Sequence, residues 1–354
     1  MRTISPKQKR ALEDLSAEGL LKGLPVQTAE KDVHITDLLR ALSELKVAHG
    51  HFRDLDPRAG EYTRWDEGIR LVFAGGTCLS KAHGLINRMS EDVDIKVVLT
   101  PTPSPLKKGR GDRSRLIALH DMLEPMLTSL GFPLLRYANG AHNPNIKNSH
   151  KYYVVGAGYK SSYDQLPSLR PELKLELNHR NPLLPVEKKE FGYLYESLAE
   201  TGGASLLSID CISVAETAAE KVISLLRRCA YSWDGFQTKG VLDGALVRHV
   251  YDVAKIAEQH SASLNAARDI FPQLILNDQA DYKNQHPGFD CEPVTVLRRT
   301  LVAAKANGEL QTQYARTLVP LVYDTSPLTF EQAFKSFEEV AEHFLSACRS
   351  SSGT

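Results

Sequence analysis

Two aspartates one residue apart, a short step after a double glycine, constrain this chain more than any other feature. The apolar run Leu71-Val-Phe-Ala74 reads as the end of a buried strand. Gly75, Gly76 and Thr77 follow, then a ten-residue segment with Leu79, Ala82, Leu85 and Ile86 at helical spacing. From Asp92 the pattern switches to strict alternation. Asp92, Asp94 and Lys96 fall on one face of a strand, and Val93, Ile95 and Val97 on the other. Carboxylates crowded on one strand face repel each other unless a cation stands between them. Mg²⁺ is a natural choice, because it takes carboxylate and phosphate oxygens together. Two glycines let backbone N–H groups approach an anion closely, and a following helix points its positive end the same way. The stretch therefore predicts phosphates on the Gly75-Gly76 turn and metal on the Asp92-x-Asp94 strand.

Composition sets the wider limits. The 354 residues suffice for two domains, and an apolar content of 42% supports a packed core. Lys+Arg and Asp+Glu stand at 43 each, so a nucleic-acid partner would have to use local basic patches. Cys78, Cys211, Cys229, Cys291 and Cys348 form no Cys-x-x-Cys pair. That argues against a zinc site and a disulfide framework, and for a reducing, cytoplasmic setting. The first ten residues hold no apolar core of signal-peptide length, and no apolar run is long enough to span a membrane, so no membrane partner is expected.

Residues 1–70 read as helical. One amphipathic helix covers 7–21, and a second starts near Thr28 with Glu30-Lys31-Asp32 in its first turn. His49-Gly-His51 reads as a polar loop, since no third ligand sits nearby. Residues 100–115 are a Pro/Gly/Ser loop with five basic residues, either solvated or a phosphate-backbone contact. A helix over 114–131 ends at Gly131. Residues 137–150 read as a polar loop, and 152–159 and 173–178 as strands. The second strand places Leu173, Leu175 and Leu177 on one face and Lys174 and Glu176 on the other, which makes Glu176 a candidate third carboxylate. From about Ser205 the pattern turns helical, with helices over 214–228, 243–259, 292–307 and 328–349 and a polar stretch between. On the second of these Arg248 and Asp252 share a face, as an i,i+4 surface pair would.

Taken together these residues resemble the AbiEii/AbiGii family of nucleotidyltransferase-like toxins, the MenT-like toxin half of type IV toxin–antitoxin and phage abortive-infection systems. The resemblance is carried by Glu30-Lys31-Asp32; by Gly75, Gly76, Thr77, Leu79 and Lys81; by Arg88, Ser90, Glu91, Asp92 and Asp94; by the Glu176 strand; by Ala219-Glu220-Lys221; and by Arg248, His249, Tyr251 and Asp252. It covers roughly residues 28–256. It implies an α+β fold: a polymerase-β-like nucleotidyltransferase domain with a mixed sheet over 1–204, and a helical domain over 205–354 that completes an active-site cleft. Two departures stand out. The third carboxylate is Glu rather than Asp, and the basic loop after the Asp92–Asp94 strand is longer than the motif needs.

The resemblance also implies roles. Gly75, Gly76 and Thr77 would bind nucleotide phosphates, and Lys81 and Lys221 would offset triphosphate charge. Asp92 and Asp94, with Glu176, would hold Mg²⁺, with room for a two-ion arrangement. Asp252, oriented by Arg248, would be the essential acid of the last motif. The implied reaction moves a nucleoside monophosphate from an NTP to an RNA acceptor, the 3′ end of tRNA, and so stops translation. A cognate antitoxin is the implied protein partner. Two other classes keep the same residues: a protein-modifying nucleotidyltransferase, and a nucleotide-binding regulator without transfer.

Overall fold

A computed structural model describes residues 1–48, 65–101, 111–135, 137–138, 141–164, 169–200, 206–236, 244–324 and 326–348. His49, His51, most of the basic loop, Asp243 at the expected start of a helix, and the 350–354 tail lie outside the described residues. The chain divides into two compact units. One holds Met1–Ala82, Met89–Pro182 and Val186–Ile212. The other holds His83–Arg88, Leu183–Pro185 and Ser213–Thr354.

The first unit is built on helices α1 (Pro6–Ala17), α2 (Val26–Ser43), α3 (Gly75–Lys81), α4 (Asp112–Ser129) and α5 (Leu194–Leu198). Its strands are β1 (Ile69–Ala74), β2 (Asp92–Leu99), β3 (Tyr137–Ala138), β4 (Ala141–His142), β5 (Asn145–Lys147), β6 (Tyr152–Gly158), β7 (Glu172–Asn178), β8 (Glu187–Phe191) and β9 (Leu207–Cys211). Seven of them form one mixed sheet in the order β5-β6-β7-β2-β1-β9-β8. β1 runs antiparallel to β2, and β2 runs parallel to β7. Alternation places the apolar face as expected: Val93, Ile95, Val97, Leu173, Leu175 and Leu177 are all buried.

α2 is buried on nearly every side, its charged triplet included. Each member of Glu30-Lys31-Asp32 has a fixed partner, as buried charges require. Glu30 accepts from Ser161 and the Ser162 amide, and Lys31 donates to Glu91 at 2.7 Å. Asp32 accepts from Lys81 and the Leu194 amide. The triplet thus binds a helix to both ends of the stretch that carries the glycines and aspartates.

Several expectations are corrected. α3 stops at Lys81, short of the ten-residue helix expected, and Gly84 follows in the left-handed region at φ 65°. Leu85 and Ile86 are buried but lie outside this helix. Residues 137–150 hold three short strands rather than a loop alone. The chain beyond Ser205 first supplies a strand, β9, which pairs with β1. Gly131 does close α4, at φ 82°.

The second unit is helical: α6 (Val214–Trp233), α7 (Arg248–Gln259), α8 (Leu264–Asp281), α9 (Pro287–Cys291), α10 (Pro293–Lys305), α11 (Gly308–Gln313) and α12 (Phe330–Leu345). Its core includes Leu225 and Leu226 of α6, Tyr251 and Ile256 of α7, Phe271 and Ile275 of α8, and Phe337 and Phe344 of α12, with α6 and α7 buried on nearly every side. The polar stretch between the expected helices holds Asn277 and Asp278. Both residues lie within α8, where Asp278 is buried against Arg227 of α6 at 3.1 Å. Among the described residues no helix is long and apolar enough to cross a membrane.

Candidate active site

β2 and β7 place the three candidate carboxylates side by side. Their parallel register sets Asp94 against Glu176 and Asp92 against Lys174. Because side chains alternate, residues in register share a face, so Asp92, Asp94, Lys174 and Glu176 form one polar patch in the first unit. The Lys174 ammonium lies 3.1 Å from Glu176 and 3.6 Å from Asp92. Burial by itself would push this ammonium down, but Asp92, Glu176 and Asp94 overcome it and hold Lys174 protonated above its ordinary range. Tyr152 on β6 is also raised, first by burial and then by the Glu176 carboxylate beside it, so its phenol stays protonated.

The double glycine is explained by this patch. Gly75 adopts φ 76°, and a β-carbon added there would overlap the Asp94 carboxylate. Only glycine meets both demands, the left-handed backbone and the close approach. Thr77 is buried, and its hydroxyl donates to the backbone carbonyl of Asp92. That bond ties the first turn of α3 to the strand that carries the aspartates. Lys81, one turn further, is buried in an ion pair with Asp32, its ammonium 5.8 Å from the centre of the Phe191 ring.

Among the described residues no group of three or more metal-ligating side chains stands close enough to hold an ion. In donor chemistry alone the carboxylates of β2 and β7 suit Mg²⁺. Asp92, Asp94 and Glu176 offer hard carboxylate oxygens, only partly buried, in adjacent registers. Lys174 supplies positive charge among the same oxygens.

A second charged cluster lies within the helical unit. Asp252 of α7 is fully buried. Arg88 forks onto it, Nε to Oδ1 at 2.7 Å and Nη2 to Oδ2 at 2.6 Å. Lys221 of α6 reaches Oδ2 at 2.8 Å. Burial alone would raise the Asp252 carboxyl, but Arg88 and then Lys221 hold it well below the usual carboxylate range. The exposed i,i+4 pair expected of Arg248 and Asp252 is therefore corrected: Asp252 is interior, and both its oxygens are bound by residues remote in sequence. His249, next on α7 after Arg248, is kept neutral by burial and by the nearby Lys221 charge.

Two residues in these clusters had no role assigned from the sequence. Arg88 was visible in the Arg-x-Ser-Glu-Asp-x-Asp string, but nothing local connects it to Asp252, 164 residues away. Lys174 was visible as the neighbour of Glu176 on the polar face, and only the β2–β7 register shows that it also meets Asp92.

A mixed sheet that sets paired aspartates and a third carboxylate against a double-glycine turn is the framework of a nucleotidyltransferase. The sequence matches the family of AbiEii nucleotidyl transferase toxins of type IV toxin–antitoxin systems over residues 64–342, and the chain belongs to that family. The match runs well past residue 256, so the last helices belong to the family pattern too. Among solved structures the chain is similar to MenT4, a nucleotidyltransferase toxin of Mycobacterium tuberculosis H37Rv. Identity is 17% and the TM-score 0.52, over 94% of this chain and 93% of that one. A looser likeness, to JHP933 of Helicobacter pylori, has 15% identity and a TM-score of 0.34 over 78% and 84% of the two chains. A search of curated proteins gives no match.

Proposed function

We propose that this nucleotidyltransferase moves a nucleoside monophosphate from an NTP to a hydroxyl of RNA, the 3′ end of tRNA, and thereby blocks translation. The acceptor oxygen forms a bond to the α-phosphorus, the bond from that phosphorus to the bridging oxygen breaks, and pyrophosphate leaves. The acceptor's proton passes to solvent or to a nearby carboxylate. The observation that carries this reading is the register of Asp94 against Glu176, with Asp92 on the same face and Gly75 making room for Asp94.

Asp92, Asp94 and Glu176 are the residues that would hold Mg²⁺, and the bound ion would neutralise triphosphate charge. Gly75 and Gly76, at the first turn of α3, are the proposed source of backbone N–H groups for phosphate oxygens. Thr77 acts through the Asp92 carbonyl by fixing the strand. Lys221 is the proposed phosphate contact of the helical unit, with Arg88 and Asp252 fixing its ammonium. Lys81 keeps its carried-over role in offsetting triphosphate charge, and Arg248 its role in orienting Asp252. The family implies a protein antitoxin as partner, acting in the cytoplasm.

The experiment is transfer of label from each of the four NTPs to total RNA and to total protein, wild type beside Asp92→Asn. Label in tRNA that is lost in the variant supports the reading. Label in protein alone would overturn the RNA acceptor, and nucleotide binding without any labelled acceptor would overturn transfer.

A further inference from the structure

Transfer needs the attacking strand to be held as well as the nucleotide, and one row of the sheet beside the carboxylates carries residues suited to it. Lys147 of β5 pairs with Tyr152 of β6, and Tyr152 pairs with Asn178 of β7. The neighbouring row on the same strands is Asn145, Val154 and Glu176, continued by Asp94 of β2. Residues two apart on a strand share a face, so Lys147, Tyr152 and Asn178 stand on the carboxylate face, about 7 Å along it. We propose that Lys147, Tyr152 and Asn178 form the subsite that holds the acceptor end of the RNA. This subsite rests on RNA transfer as proposed above and adds the place of the acceptor.

Position is the first reason. Ala74 of β1 pairs with Asp94, and the Gly75-Gly76 turn follows it directly. A triphosphate held on that turn lies on the β1 side of Asp94. The sheet order puts β7 and then β6 on the other side of β2. At about 4.8 Å per strand, β6 is roughly 10 Å from β2 and roughly 14 Å from β1. In phosphoryl transfer the attacking and leaving oxygens lie roughly in line. Pyrophosphate leaves on the glycine side, so the attacking hydroxyl enters from the side of β7 and β6.

Charge is the second reason. A carboxylate patch repels RNA, so the acceptor needs positive charge close by. No Asp or Glu occurs between Glu124 and Asp164, although the chain has 43 of them. That acid-free run includes β5, β6 and the turn between them, with Lys147 and Lys151 both exposed. Among the described residues Lys147 is in no ion pair, and its ammonium stands 5.8 Å from the centre of the Tyr152 ring.

Side-chain chemistry is the third reason. RNA ends are held by aromatic rings that stack on bases and by polar groups on sugar and phosphate. Tyr152 is half-buried, and its phenol hydrogen bonds to the Glu176 carboxylate, which fixes the ring beside the proposed point of attack. Asn178, exposed and next in the row, offers ribose hydroxyls both a donor and an acceptor. Lys147 offers a cation to the phosphate.

The test is steady-state transfer by the full-length chain, with tRNA varied at saturating NTP and NTP varied at saturating tRNA. Fluorescence anisotropy of labelled tRNA without NTP accompanies it. Tyr152→Ala is expected to raise both KM and Kd for tRNA about 5- to 150-fold, the range of one base–aromatic stack, with KM for NTP unchanged. Tyr152→Phe keeps the ring and is expected to bind tRNA like wild type. Lys147→Gln is expected to weaken tRNA binding and to reduce the slope of log Kd against log salt by about 0.7–0.9, the loss of one phosphate contact. Lys7→Gln, an equal loss of charge at an exposed position of α1, is expected to change neither. If wild type labels tRNA while Tyr152→Ala and Lys147→Gln keep its KM and Kd for tRNA, the subsite is overturned and RNA transfer stands. A rise in KM for NTP in place of tRNA would overturn it too, by placing the row against the nucleotide. Label in protein alone would overturn the RNA reading and the subsite with it.

Discussion

Arg88 grips Asp252 with two hydrogen bonds of 2.7 and 2.6 Å, both groups shielded from water, and the same carboxylate also carries Lys221. Removing one partner of a buried ion pair strands the other and costs about 3–5 kcal/mol. Arg88→Met is expected to lower stability by that amount, read as a drop in the urea midpoint at unchanged slope. Arg88→Lys keeps the charge but not the fork, and should lose less than half as much. Equal losses in the two variants would mean that charge alone, and not the bidentate geometry, holds Asp252.

Gly75 and Gly84 make a controlled comparison. Both have positive φ, at 76° and 65°, but a β-carbon at Gly75 meets Asp94 and one at Gly84 meets open space. Alanine at either position carries the left-handed cost of about 1–2 kcal/mol. Only Gly75→Ala also displaces the carboxylate, and a displacement of about 1 Å at a reacting centre can cost roughly 100-fold in rate. Nucleotide transfer is expected to fall by that order in Gly75→Ala and to stay near wild type in Gly84→Ala. Similar activities in the two variants would separate Asp94 from the chemistry.

Local pattern carried the parts of this site that local pattern can carry. The alternation of Asp92 with Val93 and of Glu176 with Leu177 gave both strands and their faces, because a strand's period is two and a slip would bury a charge. What the sequence could not supply is pairing between distant segments. No local signal says that β2 takes β7 as a parallel neighbour, so the contact of Lys174 with Asp92 was hidden. Nor does any signal link Arg88 to Asp252. The polar stretch between the expected helices is largely helical, as α8, because tertiary packing such as that of Asp278 on Arg227 overrides a weak local preference.

His34 gives a pH dependence with a definite sign. It is buried in α2, takes a hydrogen bond from Arg2 at 3.2 Å, and its Nε2 has no partner among the described residues. Burial first, then Arg2 and Lys31, push its pKa from 6.5 to about 3. The unfolded chain therefore binds a proton that the native one refuses. Stability is unaffected by this group above pH 6.5 and falls as the pH drops from there toward 3, by at most about 1.4 kcal/mol per unit. Asp252 behaves differently. Its depressed carboxyl contributes stability that is complete above the ordinary carboxylate value of 3.8 and is lost only below it. Urea midpoints between pH 7 and pH 4.5 thus report on buried histidines and not on Asp252, and His34→Leu is expected to reduce their slope, with His120 and His249 supplying the rest. An unchanged slope in that variant would assign the acid sensitivity to other groups.

Lys174 decides whether the carboxylate patch is poised for a cation. Its ammonium lies 3.1 Å from Glu176 and 3.6 Å from Asp92, and it puts positive charge among these oxygens. Lys174→Met removes that charge and leaves Asp92, Asp94 and Glu176 repelling one another across adjacent registers. The variant is expected to melt below wild type in chelator. Added Mg²⁺ should recover most of the loss, because an ion that binds only the folded state stabilises it by mass action. The gain from Mg²⁺ should be larger in Lys174→Met than in wild type, and should vanish when Asp94→Asn is added. Melting curves of the three proteins with and without Mg²⁺ measure this directly. If Mg²⁺ shifts all three equally, the patch is a surface ion pair held by lysine and not the metal-binding floor of the active site.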